Sequence, residues 1–128
     1  MMHSPQSKLS ADDTELGEWF RQQIAKAFMV KRSEWVDVYG RVAGEDVGIA
    51  IFDHPHNLRT PTYWHARAYG LLAANPFGLK QFTGDRRQDG QHAIPTGGSL
   101  VLRYRVLIHH GNPSQAGVAE LYRQFAAQ

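Results

Sequence analysis

Residues 34–52 read EWVDVYGRVAGEDVGIAIF, two runs of β-branched and aromatic residues on either side of a polar, glycine-bearing centre. Such side chains fit a pleated, half-buried surface, whereas Gly, Glu and Asp suit the connection between paired strands. The stretch therefore predicts a strand over 34–40, a loop over 40–46 and a second strand over 47–52. VGIAIF is almost wholly apolar, so both of its faces are expected to be covered, as inside a sandwich.

Working outward, the clearest alternation lies at 99–111, SLVLRYRVLIHHG. Leu100, Leu102, Tyr104, Val106 and Ile108 point one way, and Val101, Arg103, Arg105, Leu107 and His109 the other. The apolar set is expected to face the core. Residues 64–73 read as one further strand, ANPFG as a turn, and TGDRRQDGQ as a solvated loop. Toward the C-terminus Ser114 can cap a short helix that buries Val118, Leu121, Tyr122 and Phe125. Toward the N-terminus, residues 1–12 read as a flexible tail. From Asp13 or Thr14, the residues Leu16, Trp19, Phe20, Ile24, Ala27 and Phe28 form a helical stripe, with Lys31 and Arg32 past its end; the residues after Ala27 also suit the start of a strand. The expected fold is mainly β: an antiparallel β-sandwich, one domain over 13–128, with a short helix near each terminus.

A chain of 128 residues has room for one core, and 42% apolar with 20% charged residues is the composition of a folded chain. Fourteen Lys and Arg against twelve Asp and Glu leave only +2, so neither nucleic acid nor an anionic membrane is implied as a partner. No cysteine is present, which removes disulfides, thiolate metal sites and a cysteine nucleophile. The N-terminal decapeptide MMHSPQSKLS has no signal-peptide pattern and no apolar run approaches a membrane span, so the expected location is the cytoplasm.

The chemistry concentrates in AIFDHPHNLRTPTYWHAR, residues 50–67. Vicinal hydroxyls of sugars and polyols are matched by forked pairs from Asp, Asn, Arg and His, while their C–H faces lie on aromatic rings. Asp53, His54, Asn57, Arg59, His65 and Arg67 supply the first kind of group; Trp64 and Tyr63 supply the second. Pro55 and Pro61 restrict the connector and so favour a preformed site. The reading gives His54 and His65, with Asp53, as acid/base candidates, and Asn57, Arg59, Trp64 and Arg67 as ligand contacts; Glu34 is an alternative carboxylate partner for the histidines.

Other chemistries have less to stand on. His54, His56 and His65 with Asp53 could compose a histidine-cluster metal site of a metal-dependent oxygenase, although no metal or other cofactor is called for. His109 and His110 alternate across a strand and cannot chelate as neighbours. None of the serines lies in a G-x-S-x-G elbow, and the phosphate-binding glycine motifs are absent. A structural module, left from a larger protein and pairing with a second copy through open sheet edges, is a further alternative.

Residues 34–111 also resemble the bacterial domain family labelled methane oxygenase PmoA-like. The likeness runs through DHP-x-N at 53–57, P-x-x-W-H-x-R at 61–67, NPFG at 75–78, and the strands EWVDVYG, VGIAIF and SLVLRYRVLIHHG. It implies a soluble, galactose mutarotase-like, carbohydrate-binding supersandwich, of which this chain matches the C-terminal portion, without an upstream HHRG-type histidine motif and with His56 where the family pattern has a small residue. Methane oxidation is not expected, since a membrane monooxygenase subunit needs apolar helices of about 20 residues.

Overall fold

The computed structural model describes residues 30–67 and 70–128; the tail and helix expected over 1–28 lie outside them. Among the described residues six strands form two antiparallel sheets, so the mainly β expectation holds. The strands are β1 (Val30–Arg32), β2 (Trp35–Val42), β3 (Glu45–Asp53), β4 (Tyr63–Arg67), β5 (Leu71–Ala74) and β6 (Tyr104–His110); the described residues also form the short helices α1 (Leu79–Thr83), α2 (Pro113–Ala116) and α3 (Val118–Ala126). One sheet runs β1-β4-β5 and the other β2-β3-β6.

The 34–52 hairpin forms, with a tighter connection than the 40–46 loop expected. β2 and β3 pair from Trp35↔Phe52 to Val42↔Glu45, leaving a two-residue turn in which Ala43 and Gly44 both have positive φ, 52° and 81°. That backbone matches the right-handed twist of paired strands, so polar residues beside the turn stay in the ladder. Residues 64–73 also differ from the single strand expected: β4 and β5 pair antiparallel, Trp64↔Ala74 to Arg67↔Leu71. At the other end Val30–Arg32 pairs with β4 as a strand, Arg32 opposite Tyr63, so Arg32 is not a helix-terminal cation.

The core has two parts. Val38 and Ala66, with Val42 and Leu72 packed against them, join the sheets. On the opposite face of β2-β3-β6, Ala50 and Phe52 meet Val118, Tyr122 and Phe125 of α3. The Phe52 ring is edge-on to Tyr122, centroids 5.6 Å apart, and each such buried side chain contributes about 1.5–3 kcal/mol. α3 therefore buries the side expected of it. The cap is not Ser114: Asn112 accepts from Gln115 N at 2.8 Å, while the Gln115 side chain accepts from Asn112 N at 2.9 Å, a capping box at the start of α2.

β6 reverses the expectation about its faces. Leu107 packs against the α3 core and His109 is buried, whereas Val106 is 61% and Ile108 78% exposed. The strand begins at Tyr104, not at 99, and lies at the end of its sheet order. Alternation identifies two faces, but α3 is short and covers the one bearing Leu107. The apolar face lies beyond the sheet contact made by Val38 of β2.

Candidate functional site

Residues 53–62 fold back on themselves from the end of β3, and their hydrogen bonds explain most of the polar composition. Asp53 is fully buried. One carboxylate oxygen accepts from Asn57 Nδ2 at 2.7 Å; the other accepts from the Thr60 hydroxyl at 2.9 Å and from Thr62 N at 3.0 Å. Asn57 spans to the segment before β6, accepting from Arg103 N at 2.7 Å and donating to Arg103 O at 2.6 Å. Its side chain thus continues the strand pairing where the backbone of β3 has turned away. Tyr122 ties the same point to α3 by donating from its hydroxyl to Asp53 O.

His54 is also fully buried. Its Nδ1 accepts from His56 N at 3.1 Å, and its ring stands edge-on to Phe125 at 5.1 Å. Its Nε2 is buried without a hydrogen-bond partner among the described residues. Burial pushes the imidazole below its ordinary value of 6.5, with His56 and Arg103 acting the same way and Asp53 opposing them, which favours the neutral ring. Asp53 turns to Asn57 and the threonines instead of steadying His54, and neither buried group offers a surface to a ligand.

Arg59 is the connector residue that reaches outward. At φ 59° its backbone turns the side chain toward the segment 76–91. The guanidinium donates from Nη1 to Pro76 O at 2.8 Å and to Gly90 O at 2.5 Å, and from Nη2 to Gln91 O at 2.8 Å. The planar fork thereby closes a loop of the chain on itself. Gly90 completes the closure: it is buried, and an added Cβ would run into the Phe77 carbonyl.

β4 then divides the remaining candidates by strand alternation. Trp64 and Ala66 are buried, while Tyr63, His65 and Arg67 are half-buried on the opposite face. Trp64 has no exposure, and its indole Nε1 donates to Ser33 O at 2.7 Å, so the expected stacking plate is part of the interior. The aromatic on the outer face is Tyr63, with the Arg32 guanidinium 5.7 Å from its ring centre. Burial, then Arg67, lowers the pKa of His65 from 6.5. Glu34 is exposed and meets Asp53 through its backbone, its carbonyl accepting from Asp53 N.

A concavity of about 300 Å³ opens beside this face, lined by Arg32, Arg59, Tyr63, Pro76, Leu79 and Gln88. Only Arg59 and Tyr63 of this lining belong to the polar cluster of the sequence. Arg32 joins through the register of β1 with β4, and Gln88 through the loop that Arg59 clasps; neither carries a local sequence signal. Asp53, His54, Asn57 and Trp64 are buried and do not line it. Among the described residues no three His, Cys, Asp or Glu side chains gather into a metal-holding group; the His54 and His56 rings lie 4.9 Å apart.

A second polar arrangement lies under α3's sheet. His109 Nε2 meets the Asp37 carboxylate at 2.5 Å, both side chains almost fully buried, and His109 Nδ1 faces His110 O. Burial raises the Asp37 pKa, and the hydrogen bond and charge of His109 oppose the shift. His109 is thus a buried core group.

Residues 11–123 match the model of DUF6807, a family of unknown function, and the chain belongs to that family. No curated protein and no solved structure matches it. No helix among the described residues is long and apolar enough to cross a membrane.

Proposed function

We propose that this chain binds a small carbohydrate or polyol in the concavity between Tyr63 and Arg59. The observation that carries the reading is the composition of that hollow: an aromatic ring, two apolar side chains, two guanidinium groups and a carboxamide around about 300 Å³. This volume lies at the small end of ligand sites, about 300–1,000 Å³, which suits one or two sugar rings. Tyr63, Pro76 and Leu79 offer C–H-matching surface, and Gln88 together with the guanidinium N–H groups of Arg32 and Arg59 that are not given to carbonyls offer donors for vicinal hydroxyls. Arg59 is held by three carbonyls before any ligand arrives, so little ordering entropy is lost on binding. The resemblance to the PmoA-like, mutarotase-like proteins implies the same class of ligand.

A titration of isotopically labelled protein with a panel of monosaccharides and polyols tests this reading. Shifts should map to 59–63, 76–79 and 88, and Tyr63→Ala should weaken binding by about tenfold. Gln88→Ala, at an exposed position, should weaken it without altering the fold. Shifts confined to other regions, or none with any member of the panel, would sink the proposal.

A second reading, self-association, is favoured by β6, where Val106 and Ile108 stand exposed on a strand at the end of its sheet. Sedimentation of the full chain over a range of concentrations separates the two, because ligand binding by a monomer requires no change of mass.

A further inference from the structure

We infer that the ligand is an acidic saccharide of at least two units, whose anionic group lies in a second hollow adjoining the first; this rests on the carbohydrate reading above. The second hollow, about 240 Å³, is lined by Lys80, Arg86 and Asp89 together with Phe77, Gln81 and the Gly90–Gln91 backbone region.

The two hollows share a wall. Arg59 lines the first, and its guanidinium holds the carbonyls of Gly90 and Gln91, residues that line the second. Pro76 and Leu79 belong to one lining, and their chain neighbours Phe77 and Lys80 to the other. The two hollows are therefore neighbours along the segment 76–91.

The charges of the two linings are unequal. Arg32, Arg59, Lys80 and Arg86 face a single carboxylate, Asp89, in a chain whose total charge is only +2. Lys80 and Arg86 are exposed and make no ion pair among the described residues, whereas the adjacent Arg87 is already paired with Asp85 at 3.1 Å. Two uncommitted cations beside a polar hollow suit a carboxylate or sulfate. A neutral sugar gives them nothing to neutralise. The division of labour follows: the ring face lies against Tyr63 and Leu79, and the acid lies between Lys80 and Arg86.

Calorimetric titration of the full chain tests this with cellobiose and maltose, with the same disaccharides carrying glucuronate or a sulfate on one unit, and with citrate as a polyanion that is not a sugar. An acidic disaccharide should bind about five-fold tighter than its neutral parent at low salt, and the gap should narrow as salt is added. The double variant Lys80→Gln, Arg86→Gln should remove the gap, leave the neutral sugar's affinity unchanged, and melt like the parent protein. The carboxylate and sulfate arms show which acid is preferred. Equal binding of neutral and acidic sugars, still weakened by Tyr63→Ala, would overturn this inference alone. Citrate matching the acidic sugars would also overturn it, by reducing the site to a patch of positive charge. Absence of binding by every saccharide would remove the carbohydrate reading together with it.

Discussion

The connector 53–62 and the segment 76–91 have similar compositions, both rich in polar residues and both punctuated by proline or glycine, yet they use their polar groups in opposite ways. In the connector, Asp53, Asn57 and Thr62 are buried and bonded to one another or to Arg103. In the segment, Lys80, Gln81, Arg86, Gln88 and Asp89 face solvent, and the loop is closed by Arg59 from the connector. On the proposed reading, a dense polar cluster serves as scaffold while its plainer neighbour supplies the binding surface. What separates them is burial: polar groups shut away from water are partnered within the fold, whereas those facing solvent are left available.

The contrast is broken most directly at Asp53. Asp53→Ala leaves Asn57 Nδ2, the Thr60 hydroxyl and Thr62 N without their acceptor, and chemical denaturation should show a loss of about 3 kcal/mol or more. A variant as stable as the parent would mean that the connector is not scaffold. Arg59→Ala should cost less, about 2 kcal/mol, and its signature should be local: faster amide hydrogen exchange across 76–91, with β2 and β3 unchanged.

The histidine of the connector gives a smaller, pH-dependent effect. Because burial lowers the pKa of His54 from 6.5, the unfolded chain binds more protons than the folded one as pH falls below about 6.5. The stability that neutral His54 contributes is present above 6.5 and is lost as pH falls through the depressed folded value. Thermal melts should drop on acidification, and His54→Gln should flatten that drop. Asp37 works in the opposite sense: its raised pKa means its proton stabilises the fold at low pH, and that contribution is lost as pH rises from about 3.8 through the folded value. Comparing parent with variant isolates the His54 part. The smallest effect is expected at Ile108→Lys, within about 0.5 kcal/mol of the parent, since a side chain 78% exposed loses little in water. A large loss there would reveal a covering contact on the apolar face of β6.

The hairpin of β2 and β3 is legible because each strand's identity rests on its own side chains. The buried side of α3 is legible for the same reason: Val118, Tyr122 and Phe125 share a helical stripe. The role of Trp64 is less so. Its place beside polar residues suggests a ligand plate, but its position on β4, in step with Ala66, points it into the core; once 64–73 is seen as two paired strands, Tyr63 becomes the outer aromatic. Arg32 and Gln88 carry no signal at all, because each reaches the concavity through a partner distant in sequence.

The sequence by itself determined that the chain is mainly β, that residues 118–125 present an apolar stripe, and that polar chemistry gathers after Phe52, since periodicity and composition depend only on near neighbours along the chain. Which face of β6 is covered, which polar groups of the connector are consumed and where a hollow remains were decided by tertiary structure. The bond from Asn57 to Arg103 crosses 46 positions, and no local pattern can report whether a donor 46 residues away already has its acceptor.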